Sequence, residues 1–296
     1  MTYLCLAISA FSVKFVGNKH AGDIVLQYTT YLLYVSFMDE ELKTLLRQYA
    51  DRYETAGFIS GDPSWFMHQV TGQHNRETMA FVASCLSYGS RKQFLPKIQY
   101  LLDCSGGDFH EWVSMGEYER DIPATNQCFY RLYSYEKMNA FLRMLRQLLN
   151  DYGSLGDFAA WSVEHCHDGN SDVLAILDAI SNYFWSCGLT GIVPKPRTSL
   201  CKRPVMFLRW MVRDGSPVDL GLWTSFVDKR NLYIPMDTHV FQMSQRLGLI
   251  RQNSASWKSV EMLRNKMLEV FPDDPSRGDF ALFGYDVSDD RKVEMV

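Results

Sequence analysis

The sequence lacks closely spaced cysteines: no CxxC pair occurs anywhere along it. Its seven cysteines are scattered and odd in number, whereas iron–sulfur clusters take their thiolate ligands from clustered cysteines. An odd, dispersed set also argues against a disulfide framework and is typical of reduced thiols in the cytoplasm. We therefore expect a cytoplasmic protein that carries no metal and no other cofactor.

Long apolar runs are also missing. Residues 3–13 and 24–37 are apolar, but each run is too short for a transmembrane helix, and neither a basic n-region nor a clear cleavage site marks a signal peptide. Met38 is followed by three acids, as in the first turn of a helix. We therefore expect no membrane association and a single domain over residues 38–296, with residues 1–37 a leader or the result of a start codon assigned too early.

Acidic residues slightly outnumber basic ones, 34 to 30, but positive charge is concentrated in one stretch. The formal net charge is -4, whereas a protein that binds nucleic acid over its whole surface is usually basic. Residues 179–213 nevertheless contain no acid, and they combine basic side chains with aromatic ones. That mixture suits phosphate contact and base stacking. It equally fits amphipathic helices that bury their aromatic face and expose their basic one.

Strand signals are few and short. Apolar spacing predicts helices near residues 42–57, 79–86, 94–102, 135–149 and 173–184. Asp62 can cap the segment after a Gly-Asp-Pro turn, and Pro96 is expected in the first turn of its helix. The pattern predicts an all-α protein.

Two reactive side chains are predicted at two helix starts. Pro204 lacks an N–H and so belongs in a first turn, which places Lys202 at the N-terminal end. The positive end of the helix favours a neutral amine there, the form that Schiff-base chemistry requires; a surface lysine that binds phosphate is the alternative. Asp237 precedes renewed apolar spacing and is a strong N-cap candidate. Capping alone explains this aspartate, but a capped carboxylate is also rigid and favoured in its ionised form.

The segment around Asp237 carries a resemblance to a known superfamily. Residues 235–241 and 246–248 are similar to the segment around the essential aspartate of the helix-hairpin-helix DNA glycosylases. Lys202 matches the place of the Schiff-base lysine in bifunctional members such as endonuclease III, and its long separation from Asp237 resembles that of the archaeal GO glycosylase. The resemblance implies two helical lobes with a cleft between them.

A bacterial family of unknown function, itself placed in that superfamily, resembles the chain more closely. The similarity covers about residues 38–285, and it is carried by residues 58–63, 201–213, 218–223, 237–240 and 274–284.

One superfamily feature is absent from the sequence. The glycosylase hairpin offers a glycine-rich turn whose backbone N–H groups contact phosphate, but residues 193–199 contain two prolines and no glycine. Lys195 and Arg197 would have to replace those contacts by charge.

The resemblance also implies a function and a site. It implies a monomeric DNA-repair N-glycosylase acting on damaged or abasic duplex DNA, with abasic-site lyase activity through a lysine Schiff base. Lys202 would be the nucleophile, and Asp237 would stabilise the developing oxocarbenium ion. Substrate contacts are expected from Arg203, Trp210, Trp223 and His239, and nucleic-acid contacts from Lys195, Arg197, Arg209 and Arg213.

Two other functions stay open. The negative net charge and the missing glycine hairpin favour an N-glycosidase that acts on a free modified nucleoside or nucleotide. If Asp237 is only a cap, the protein is a non-catalytic nucleic-acid-binding protein.

Residues 165–168, His-Cys-His-Asp, are expected to form a loop rather than a metal site. Asp279 is expected to cap the last helix rather than reach the cleft.

Overall fold

Apolar residues recur every three or four positions through most of the chain, and helices form there. The computed structural model describes residues 38–166, 169 and 171–287. The predictions for residues 1–37 therefore lie outside the described residues. The α-helices are α1 Glu40–Tyr53, α2 Gln73–Leu86, α3 Arg91–Cys104, α4 Phe109–Ser114, α5 Tyr118–Asp121, α6 Tyr135–Tyr152, α7 Leu155–His165, α8 Asp172–Trp185, α9 Lys202–Val212, α10 Thr238–Arg246, α11 Trp257–Leu268 and α12 Gly278–Val287.

Strands make a minor contribution to the described residues, which confirms the all-α prediction. β1 (Cys128–Tyr130) and β2 (Tyr133–Ser134) form one short antiparallel hairpin. Short 3-10 helices cover Ala56–Ile59, Pro63–His68, Lys229–Asn231 and Pro275–Arg277. No helix in the described ranges is both long and apolar enough to cross a membrane.

Helix boundaries follow the predicted pattern where capping residues flank an apolar stripe. Ser134 caps α6 by accepting a hydrogen bond from the backbone N–H of Lys137. Helices α6 and α8 cover the segments predicted at residues 135–149 and 173–184. Two predictions were wrong in detail. α2 begins at Gln73, before the predicted start, and α3 begins at Arg91, so Pro96 lies inside the helix rather than in its first turn.

The centre of the fold is α2. All its residues from Glu77 to Leu86 are buried, as expected for a helix covered on every side. It packs against α9, α3, α4, α7 and the Pro63–His68 helix. Phe81 of α2 contacts the rings of Phe141, Phe184 and Phe207. This packing fixes α9, and therefore Lys202 at its start.

The last helix is fixed by α1. α12 packs along α1, and Gly284 permits the close approach: a Cβ there would lie 2.9 Å from Cε2 of Tyr53 and 3.1 Å from Cβ of Tyr49. The same helix contacts α10. The N-terminal ends of α9, α10 and α12 consequently border one cavity.

Candidate active site

Lys202 and Asp237 meet at the starts of two helices. Lys202 is the first residue of α9, after Cys201 in the left-handed conformation at φ 49°. Asp237 is the N-cap of α10, where its Oδ1 accepts the backbone N–H of Val240 at 2.9 Å. Its other oxygen, Oδ2, accepts a hydrogen bond of 2.6 Å from Nζ of Lys202. The predicted cap is confirmed, and the same carboxylate also holds the amine.

The charge of this pair follows from its partners. Burial opposes ionisation of Asp237, but the Lys202 ammonium, its hydrogen bond and the Val240 N–H outweigh burial, so the pKa of Asp237 lies below its usual value. The ionised carboxylate makes this contact an ion pair. The prediction of a neutral amine considered only the helix terminus and did not include this carboxylate partner.

The pair opens into a cavity of about 480 Å³, within the range of small-molecule sites. Polar side chains at or near several helix starts border it: Asp62 caps the Pro63–His68 helix, Arg91 begins α3, Lys202 begins α9, Asp237 caps α10, and Asp279 lies in the first turn of α12. The apolar and aromatic part of the wall includes Phe58, Tyr88, Phe94, Met206, Leu282 and Phe283.

Asp279 reaches this cavity, which corrects the expectation that it acts only as a cap. It is the second residue of α12, and its carboxylate pairs with the guanidinium of Arg209. Burial raises the pKa of Asp279; Arg209 and Lys202 oppose that rise, whereas Asp237 adds to it. The cavity thus contains two carboxyl groups whose pKa values move in opposite directions.

Arg209 and Arg213 are buried ion-pair residues, which argues against their predicted role as nucleic-acid contacts. Their side chains are only 3% and 2% exposed. Both pair with Asp219, whose side chain is fully buried. Arg213 also pairs with Glu54 and Asp274 at 2.6 and 2.8 Å. The guanidinium of Arg213 is therefore occupied by three carboxylates, whereas Arg209, paired with two, still borders the cavity.

Trp210 and Trp223 do not line the cavity, and the prediction that they stack on a substrate base was wrong. Both are fully buried. Nε1 of Trp223 donates to Glu77 at 2.9 Å, so this indole fixes the loop after α9 onto α2. Trp210 lies among the buried residues of α9, the alternative that amphipathic helices allow.

The other predicted contacts lie in different places. His239 is exposed and borders the cavity. Arg203 points elsewhere: its Nη1 donates to the carbonyl of Cys85, and Nη2 donates to that of Gly191. Lys195 contacts Asn182. Arg197 pairs with Asp178 at 2.7 Å, with about half of its side chain exposed. The structure therefore places only Lys202, Asp237, Arg209 and His239 of the predicted set at the cavity.

A metal site has no support among residues 38–166, 169 and 171–287, where no group of three or more His, Cys, Asp or Glu side chains could hold an ion. His165 instead donates a hydrogen bond from Nδ1 to the Trp161 carbonyl at 2.9 Å. His167 and Asp168 of the suspected motif lie outside the described residues.

The sequence did not identify several of the residues that line the cavity as site residues. Asp62 was predicted only as a cap, a role it has because Oδ1 accepts the Ser64 N–H at 3.0 Å. Phe58 and Phe283 border the cavity instead of the two tryptophans. A signal for all three existed: each lies in a segment, 58–63 or 274–284, that resembles the bacterial family.

Comparison with known proteins gives one match. The sequence family described as a protein of unknown function, DUF2400, matches residues 62–288, a range that contains Asp62, Lys202, Asp237 and Asp279. Searches among curated proteins and among solved structures found no match. Since the family match covers more than half of the chain, the protein belongs to the DUF2400 family.

Proposed function

We propose that the protein is a DNA N-glycosylase with abasic-site lyase activity, in which Lys202 forms a Schiff base with the deoxyribose. The observation that carries the proposal is the 2.6 Å contact between Lys202 Nζ and Asp237 Oδ2 at the wall of a 480 Å³ cavity. An amine nucleophile next to a rigid carboxylate is the arrangement that such chemistry needs. The proposed architecture is two helical lobes around this cleft, as in helix-hairpin-helix glycosylases.

The mechanism begins with a nucleotide flipped out of the duplex into the cavity. The base lies against the aromatic wall formed by Phe58, Tyr88 and Phe283. As the glycosidic bond breaks, ionised Asp237 stabilises the positive charge that develops on the sugar. Lys202, after losing its proton to solvent, attacks C1′ through the neutral amine. The resulting Schiff base permits β-elimination, which cleaves the strand.

The Asp237 carboxylate has two separable tasks in this mechanism. Oδ1 accepts the Val240 N–H and fixes the orientation of the side chain, whereas Oδ2 faces Lys202. A rigid carboxylate costs little reorganisation when charge develops nearby. If water rather than Lys202 is the nucleophile, Asp237 orients that water, and the enzyme releases the base without cleaving the strand.

Borohydride trapping tests the proposal. An abasic duplex and duplexes carrying uracil, oxidised guanine or alkylated adenine are incubated with the wild-type protein and with Lys202→Gln. The expected result is a covalent adduct for the wild type and none for Lys202→Gln. Base release without strand cleavage, retained in Lys202→Gln, would identify the simple glycosylase instead.

Lys229 provides a matched control for the lysine. Its Nζ lies 2.6 Å from Asp214 Oδ1, and its side chain is 35% exposed, against 38% for Lys202. Lys229→Gln therefore removes a similar ion pair that does not border the cavity. Trapping should survive this substitution. Equal loss in both variants would contradict a specific nucleophile at Lys202.

A second candidate function is favoured by the burial of Arg209 and Arg213. These two predicted phosphate contacts are enclosed by carboxylates, which leaves fewer cations for a DNA backbone. A cavity of about 480 Å³ suits a single free nucleoside. The dependence of affinity on salt separates the two functions: duplex binding requires a steep slope from counterion release, and a neutral nucleoside gives almost none.

A further inference from the structure

We propose that Asp279 is the proton donor to the departing base, a role that rests on the proposed glycosylase function. Two observations place it there. Asp279 borders the same cavity as Lys202 and Asp237, and its carboxyl group belongs to a buried ion network that has more carboxylates than guanidinium groups.

The network's charge balance can be read from its ion pairs. Its guanidinium groups belong to three arginines, and the largely buried carboxylates that pair with them belong to four acids: Arg209, Arg213 and Arg277 against Glu54, Asp219, Asp274 and Asp279. Asp51 also pairs with Arg277, but its side chain is 66% exposed and it does not belong to the buried network. Burying excess negative charge is unfavourable unless one carboxyl group takes up a proton.

Asp279 is the member of this network that meets the cavity. Asp219 pairs with the same Arg209, but its side chain is fully buried, whereas that of Asp279 is 19% exposed. Asp219 does not border the cavity. A proton held on Asp279 can therefore reach a bound substrate, while one held on Asp219 cannot.

The groups that face Asp279 come from several elements. Arg209 and Lys202 of α9 favour its ionised form, and Asp237 at α10 and Asp62 before the Pro63–His68 helix oppose it. With burial as the largest effect, the pKa of Asp279 is raised, while that of Asp237 is lowered. Two carboxyl groups separated in this way suit an acid and an anion in one site.

The chemical step balances as follows. The bond between C1′ and the base nitrogen breaks, and its electron pair goes to the base. The carboxyl proton of Asp279 moves to the base, which leaves as a neutral molecule, and Asp279 becomes a carboxylate. The lone pair of the neutral Lys202 amine forms the new bond to C1′. No oxidant, reductant or further reactant is needed.

A leaving-group experiment tests the inference. Base release is measured under single-turnover conditions on whichever of the uracil and oxidised-guanine duplexes the wild type accepts, because a ring-alkylated adenine is already cationic and departs without a proton. Asp279→Asn should slow that release by about 100-fold or more. Trapping on a preformed abasic duplex has no base to protonate, so Asp279→Asn should change it by less than about 10-fold. Asp279→Glu should restore part of the release.

Asp219→Asn is the structural control, because it removes a carboxylate from the same Arg209 without touching the cavity. If it slows base release relative to abasic trapping as much as Asp279→Asn does, the effect comes from the network and the inference is overturned. Wild-type release rates in Asp279→Asn overturn it too. Failure of the wild type on every duplex, abasic DNA included, defeats the proposed function and the inference together.

A measurement on the wild-type protein without substrate tests the inference even if Asp279→Asn fails to fold. The carboxyl carbon of Asp279 in the wild-type protein is followed by NMR as pH changes, with Asp279→Glu used for assignment. A midpoint above the ordinary aspartate value of about 3.9 supports a proton held on Asp279. A midpoint at or below that value overturns the inference.

Discussion

Arg213 should be among the side chains on which folding depends most. It is 2% exposed and contacts Glu54, Asp219 and Asp274. Removing one partner of a buried ion pair costs about 3–5 kcal/mol, because the remaining charges stay buried without compensation. We therefore expect Arg213→Ala to lower the free energy of unfolding by about 3–5 kcal/mol at pH 7, measured by urea denaturation.

The loss should depend on pH through Glu54. Burial opposes ionisation of this carboxyl group, but Arg213 and Arg277 outweigh burial and lower its pKa in the wild type. A lowered pKa stabilises the folded wild type above the unfolded pKa of about 4.3, and this contribution is lost as pH falls through the folded value. Without Arg213, the buried carboxyl group takes up a proton at higher pH. The difference in free energy of unfolding between variant and wild type should therefore narrow as pH falls below about 4.3, where the wild type loses this contribution.

Arg197→Ala is the matched control. Arg197 pairs with Asp178 at 2.7 Å, but 49% of its side chain is exposed, and such a surface pair is worth about 0.2–1 kcal/mol. If Arg213→Ala costs no more than Arg197→Ala, Arg213 is not part of a buried network. Its predicted role in phosphate contact would then be open again.

Three further predictions separate structural from chemical roles. Asp237→Asn should keep the cap of α10 and nearly the whole free energy of unfolding, while Asp237→Ala should lower that free energy by about 1 kcal/mol. Both variants should lose base release. Activity retained in Asp237→Asn would show that the residue is only a cap. Gly284→Ala should destabilise by about 1–3 kcal/mol through its clash with α1, whereas Gly57→Ala, whose Cβ would lie 3.5 Å from the nearest side-chain atom, should not; equal unfolding curves would refute that packing. Trp223→Phe should cost about 1–3 kcal/mol because buried Glu77 loses a donor, and a calorimetric melting temperature equal to that of the wild type would contradict this.

Local rules gave the helix starts from the sequence alone. Pro204 indicates a first turn and therefore places Lys202 at the beginning of α9, and renewed apolar spacing after Asp237 indicates its cap. These rules depend on a few neighbouring residues. They could not reveal that Lys202 and Asp237 are joined by a hydrogen bond, because 35 residues separate the two in the sequence.

The roles of the basic and aromatic side chains were not predictable in the same way. Arg213 fits both a solvated face and a buried one, since helical periodicity identifies a stripe but not what covers it. Trp223 lies in the loop after α9, where no periodicity shows which side is buried. The covering groups come from distant segments: Glu54 of α1 pairs with Arg213, and Glu77 of α2 accepts from Trp223. Asp279 was likewise expected to be a cap, because its pairing with Arg209, 70 residues away in the sequence, could not be inferred before the structure was known.

Mapping the trapped lysine would show whether Lys202 is the nucleophile. Wild-type protein is reduced with borohydride on an abasic duplex and digested, and the modified peptide is sequenced by mass spectrometry. We expect a deoxyribose remnant on Lys202, with Lys229 unmodified. An adduct distributed over several surface lysines, or none from folded protein at low salt, would contradict Lys202 and Asp237 as the catalytic pair.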